Sequence, residues 1–229
     1  MDVEKSRRHP ILRLFGATVV LLIVATAASF FGGAVWLNHA MRDSLPQLDG
    51  QLRLRGLSAP VTVRRDQHGV PHIQAATLDD LFMAQGYVTA QDRLWQMDMA
   101  RRMAAGEVSE VLGPGLVKHD RIQRVLLIRD TAERIVANLS ENDRRYFNDY
   151  AKGVNVFIAS HEDNLPAEFR LLMYKPQPWQ PVDSALIAMG MVQLLDQRWD
   201  QKLDRERVVA RIGSTQSADE LDTRVASAL

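Results

Sequence analysis

The stretch Val61–Arg102, VTVRRDQHGVPHIQAATLDDLFMAQGYVTAQDRLWQMDMARR, decides the fold. Val61-Thr62-Val63-Arg64-Arg65-Asp66 has β-branched residues in rough alternation and reads as a strand. Gln67-His68-Gly69 is a turn signal, and Val70-Pro71-His72-Ile73-Gln74-Ala75 reads as a second short strand. Pro71 holds Val70 extended and places that strand at an edge or bulge, so the pair is expected to form a hairpin. Thr77 followed by Asp80 is the signature of an N-cap with an acidic residue at N3. The helix it opens is expected to run to Ala105 and stop at Gly106, with Leu81, Ala84, Val88, Gln91, Trp95 and Met99 near one stripe.

Toward the C-terminus, Gly113-Pro114-Gly115 is a break. Helices are expected over Lys118–Asn138 and Glu141–Ala159, the second capped by Ser140 with Asp143 at N3. Leu165–Pro181 reads as a loop-rich stretch, because Pro176, Pro178 and Pro181 forbid a long regular element. Pro181 and Asp183 open a further helix through about Asp196, and a last one follows over Asp200–Ile212. No internal repeat is visible.

Toward the N-terminus, Leu14–Leu37 contains no charged residue and is rich in Leu, Val, Ile, Ala and Phe. At about 1.5 Å per residue it spans a hydrocarbon core of roughly 30 Å. Lys5, Arg7, Arg8 and Arg13 precede it, so residues 1–13 read as a cytoplasmic leader and everything after Leu37 is sent outward. Ala25-Thr26-Ala27 resembles a signal-peptidase site, which makes a cleaved signal the rival reading. An uncleaved anchor in the inner membrane is preferred, because Phe30, Phe31, Val35 and Trp36 continue the apolar run and Trp36 sits where an interfacial aromatic belongs. Residues 38–56, interrupted by Pro46 and Gly50, read as a linker, and the bulk of the chain is expected in the periplasm.

Composition excludes several function classes. The 229 residues hold 28 Lys and Arg against 28 Asp and Glu, which argues against nucleic acid as a partner. There is no cysteine, so disulfides, thiolate-bound zinc and thiol nucleophiles within this chain are excluded. His68 and His72 stand either side of a Gly-Val-Pro turn and do not converge on one metal. In Gln91-Asp92-Arg93 and Gln96-Met97-Asp98, Asp98 is expected to pair with Arg101 or Arg102, a structural use rather than acid–base chemistry. Gly-x-Ser-x-Gly, Walker A and His-Glu-x-x-His patterns are absent. Gly213-Ser214 has too few residues after it to build a nucleophile-bearing sheet, and reads as a helix C-cap.

These residues carry a resemblance. Pro60–Ala75 resembles the opening of the penicillin acylase family. Asp80-Leu81-Phe82, Gly86–Asp98, Gly106–Gly113, Leu165–Phe169 and Pro178–Asp183 are similar to its later landmarks, over about Leu57–Gly213. The family comprises penicillin acylases and acyl-homoserine-lactone acylases, N-terminal nucleophile hydrolases cut from one precursor into an α and a β chain. The resemblance implies an α+β fold: the mainly helical α-chain part of a four-layer αββα enzyme, with an N-terminal β-hairpin, over residues 57–229. It implies hydrolysis of the amide of N-acylated amines, with a β-chain Ser attacking and its own α-amine as base. That nucleophile, the oxyanion hole and most calcium ligands belong to the β chain, so no catalytic residue is expected here, and residues 57–229 are expected to be an incomplete enzyme.

The resemblance also places the α chain's share of the acyl pocket at Met191, Leu194, Leu195 and Asp196, the apolar three suiting an acyl chain. Ordinary core packing is the competing reading of these residues. Lys202 stands where the family carries a calcium-ligating Glu, and an ammonium cannot ligate calcium; Asp200 and Asp204 are the nearest oxygen donors. The alternative function is a non-catalytic, membrane-anchored interaction domain or decayed family remnant. Finally, Phe82, Tyr87, Leu94, Trp95 and Met99 offer more apolar surface than a two-strand hairpin covers. The isolated chain is therefore expected to be poorly ordered without a β chain.

Overall fold

The computed structural model describes residues 8–195 and 199–212. Helix α1 spans Arg8–Asp43, longer than the apolar run that nucleates it. Residues 38–43, expected in the linker, continue the helix, and the irregular segment begins after Asp43. Strands β1, Thr62–Arg65, and β2, Pro71–Gln74, form the expected antiparallel hairpin, one residue shorter at each end. The register pairs Thr62 with Gln74 and Arg65 with Pro71. Asp66 closes the turn: its Oδ1 accepts from the backbone N–H groups of His68 and Val70. Gly69 sits there at φ 78°, a left-handed conformation that other residues adopt at a cost.

Helix α2, Leu78–Ala105, follows, and both its ends obey the sequence signals. Thr77 Oγ1 accepts from the Asp80 N–H at 3.1 Å, and Gly106 closes the helix in the left-handed region at φ 73°. Arg93 kinks the helix at φ −147° with neither Pro nor Gly present. The kink adjoins Asp92, which the hairpin's Arg65 grips through two bonds of 2.9 and 2.7 Å.

Two expectations need correction. The single helix over Lys118–Asn138 is two: α4, Val117–Val125, and α5, Ile128–Ala137. Leu127 breaks it at φ 52°, although nothing in its residue type marks a stop. A short α3, Ser109–Leu112, and a 3₁₀ turn over Pro114–Leu116 precede them. The loop-rich stretch Leu165–Pro181 holds a short helix α7, Ala167–Leu171, clear of its prolines, and no long element, as expected. The remaining helices match their expected spans within about one residue: α6, Glu141–Ser160, α8, Pro181–Leu195, and α9, Trp199–Ile212.

The second correction concerns the core. Ala84 and Val88 of the expected α2 stripe are buried, but Leu81, Gln91, Trp95 and Met99 are only half-buried, and Met83, Tyr87, Ala90, Leu94 and Met97 complete the buried face. Tyr87 and Leu94 did not need a β chain. They pack against Ala151, Val154 and Phe157 of α6 and against Phe169 and Trp179. Tyr87 meets Phe157 edge-on at 5.5 Å, and Phe82 stacks on Tyr146 at 4.9 Å. The intimacy of α2 and α6 rests on two glycines. A Cβ at Gly86 would run into the Tyr150 carbonyl, and one at Gly153 into the Met83 carbonyl. A second cluster, Ala104, Ala105, Ala132, Ala185 and Leu186, joins α2, α5 and α8.

Candidate functional site

The most buried polar chemistry lies where α2, the loop after α7 and α8 meet. Asp98, 1% exposed, accepts from Arg101 Nε and Arg102 Nε at 3.0 Å each and from the Tyr174 hydroxyl at 2.6 Å. Both candidate arginines are therefore its partners. Arg101 also reaches Asp183 Oδ2 at 2.9 Å and the Gln177 carbonyl at 2.8 Å, and lies 5.1 Å over the Trp179 ring. Asp183 in turn accepts from the Gln180 N–H, which fixes the start of α8. Burial, and then the hydrogen bond to Asp98, push the Tyr174 phenol well above its ordinary value, so it is a permanent donor. Each carboxylate is matched by guanidinium, hydroxyl or amide donors. The arrangement pins a proline-rich loop. Asn155 assists, its amide exchanging two hydrogen bonds with the Trp179 backbone at 2.9 and 2.7 Å.

Other chemistry-bearing groups are likewise committed to structure. His72 Nε2 faces Asp66 at 3.3 Å and His68 faces Gln67, so the two histidines do not converge. Ser160 Oγ is 2.9 Å from His161 Nδ1, but both also address the Phe157 carbonyl, an arrangement that finishes α6. Asp80 receives the Ser58 N–H at 2.8 Å and hydroxyl at 2.6 Å; these bonds hold its carboxyl below the usual carboxylate range. Among the described residues no three His, Asp or Glu side chains gather to hold a metal. Lys202 is exposed on α9, and Asp204 accepts from Arg207 at 3.2 Å.

The expected acyl-pocket residues lie on the last turn and a half of α8. Met191, Leu194 and Leu195 are 52%, 58% and 77% exposed. They share one side by their spacing, and among the described residues that side is more than half exposed. Asp196 and the Gly213-Ser214 pair lie outside the described residues. A cleft of about 440 Å³ opens farther up α8, where Ile187 and Ser184 face Phe82 and Gln85 of α2 and Tyr146 and Tyr150 of α6. Sequence reasoning missed it. Its signal was two half-exposed pairs, Phe82/Gln85 and Tyr146/Tyr150, each at one-turn spacing on helices that only the fold brings face to face.

The penicillin amidase family profile matches residues 60–226. An acyl-homoserine lactone acylase QuiP of Pseudomonas aeruginosa is 38% identical over 162 residues, covering 71% of this chain and 19% of that protein. The penicillin acylase 2 proenzyme of Pseudomonas sp. (strain SE83) is 39% identical over 162 residues, covering 71% and 21%. This chain thus spans about a fifth of the length of these relatives. A solved structure of a thermostable penicillin G acylase from Alcaligenes faecalis superposes with a TM-score of 0.60 at 30% identity. That match covers 74% of this chain and 91% of the acylase chain, which is therefore itself short. The hairpin, the α2–α6 pair and the loop leading into α8 all fall within the profile's span: the chain belongs to the penicillin amidase family.

Proposed function

We propose that this chain is the α-chain part of an exported acylase that hydrolyses the amide bond of N-acylated amines, of the acyl-homoserine-lactone or β-lactam type. The nucleophile of that enzyme is the N-terminal Ser of a β chain from the same precursor. The observation that supports this best is the match over most of a short acylase chain, combined with a length about a fifth of the whole relatives. In this reading β1 and β2 extend a larger sheet of the four-layer αββα enzyme, and the open cleft between α2, α6 and α8 is covered by the β chain. Met191, Leu194 and Leu195 form an apolar wall for the acyl chain. Position 202 supplies no calcium ligand, as its ammonium has no lone pair to give.

We further propose that α1 anchors the enzyme in the inner membrane with the body in the periplasm. The most apolar 18-residue window of Leu14–Asp43 has a mean hydropathy of 2.3, and none of it is buried. A cleaved signal uses the same residues, and membrane fractionation of the mature protein separates the two. The function is tested by assaying this chain alone, and together with a β chain encoded downstream, on phenylacetyl and long-acyl amides. Turnover is expected only for the pair. Turnover by this chain alone overturns the assignment of the chemistry to the β chain, and an inert pair overturns the acylase reading.

A further inference from the structure

Helix α7 does not lie free on the surface; it packs on the end of α1. Arg170 Cζ stands 5.6 Å over the Trp36 ring, and Arg170 Nη1 is 3.7 Å from Asp43 Oδ2. Between these two contacts Ala40 is fully buried, although most of α1 is exposed. Trp36, Ala40 and Asp43 are spaced four and three apart, so one face of the last two turns of α1 receives α7. This fixes the height of α7. Twenty or so residues from Leu14 traverse about 30 Å, which ends the hydrocarbon near Trp36, and Asp43 lies roughly 10 Å farther out. Helix α7 therefore sits in the headgroup layer.

At that level the chain turns three apolar residues outward in succession. Leu171 is 63% exposed, Leu172 is less so, and Met173 is 91% exposed. The tip is held in this posture from both sides. Phe169 is sunk in the core, the Tyr174 N–H returns to the Phe169 carbonyl at 3.1 Å, and the Tyr174 hydroxyl is anchored on Asp98. Met173 itself is at φ 53°, a conformation disfavoured for a residue with a Cβ. Its neighbours thus force it away from the body instead of letting it fold back on the core. Lys175 flanks the tip on its far side, largely exposed at its 3.6 Å contact with Glu162, while Arg170 on the near side is taken up by Trp36 and Asp43.

We propose that Leu171-Leu172-Met173 is a membrane-contacting tip, inserted at the headgroup–acyl boundary of the bilayer that α1 crosses. It gives the body a second point of attachment and sets its orientation. The proposal rests on the reading of α1 as an anchor.

The absence of native cysteine permits a direct test. Met173→Cys, Leu22→Cys and Glu133→Cys variants of the full chain are labelled with a polarity-sensitive fluorophore and reconstituted in phosphatidylcholine vesicles. Each is challenged with a nitroxide lipid and with aqueous iodide. The label at 173 is expected to be quenched by the nitroxide severalfold more than the label at 133, and to be shielded from iodide. If 22 is quenched by nitroxide while 173 answers to iodide, α1 is in the membrane and the tip is not, which overturns the proposal. Shielding of 173 from both quenchers means that protein covers the tip, which also overturns it. If 22 itself answers to iodide, the anchor fails and the tip with it.

Discussion

Arg101 and Asp183 stand 82 residues apart in sequence and 2.9 Å apart in space. Through that pair the second half of α2 holds the first turn of α8, and so aims the helix that ends at Met191–Leu195. Asp98 is the other half of the clamp.

Replacing Asp98 with Ala leaves two buried guanidiniums and a buried phenol without their common acceptor. The loss is expected to be about 3–5 kcal/mol. Urea unfolding followed by far-UV circular dichroism measures it. A midpoint shift equivalent to under about 1 kcal/mol would mean the clamp is dispensable.

Gly86→Ala and Gly153→Ala each drive a methyl into the backbone of the facing helix, where no side-chain rotation gives relief. Each is expected to destabilise by roughly 3 kcal/mol. Gly115→Ala, with open space around it, is the control and is expected to unfold with the parent. Equal midpoints for all three variants would show that α2 and α6 are not so close.

Stability is expected to fall in acid. Hydrogen bonds, from Ser58 to Asp80 and from the Val70 backbone to Asp66, lower both pKa values on folding. A lowered folded-state pKa contributes stability that is complete above the unfolded-state value and is lost as pH falls through the folded one. The loss therefore begins below about pH 4. Melting temperature against pH for Asp80→Asn should show a shallower acid limb than the parent; an identical limb assigns the effect elsewhere.

Met191→Ala and Leu194→Ala distinguish a substrate wall from packing. Both residues are more than half exposed, so melting of this chain is expected to change by under about 0.5 kcal/mol. In the assembled enzyme the same changes are expected to shift preference among acyl lengths by about tenfold, in keeping with one or two methylenes in an apolar pocket. An unchanged length profile removes α8 from the pocket.

A reporter active only in the periplasm, fused after Arg42, is expected to be active, because the basic residues before Leu14 are retained inside. Activity from a cytoplasmic reporter at that junction would reverse the topology.

Local chemistry was legible in the residues wherever one side chain answers its own neighbourhood. Thr77, Ser140, Gly69 and Gly106 mark their caps and turn by type, and each acts there as its type dictates. The uncharged run from Leu14 announces a helix of membrane length, and the ordered motifs from Pro60 onward identify the family. Tertiary structure alone decided the rest. Leu127 ends one helix and starts another in a conformation that no property of leucine foretells, and Asp92 of α2 takes Arg65 of the hairpin instead of a neighbour on its own helix. The apolar face of α2 was correctly seen as needing cover, but its cover is α6, drawn close by glycines whose missing side chains matter only against a partner. Periodicity reports which face of a helix must leave water. It carries no information on which distant segment will meet that face, since burial is non-directional and many partners satisfy it equally.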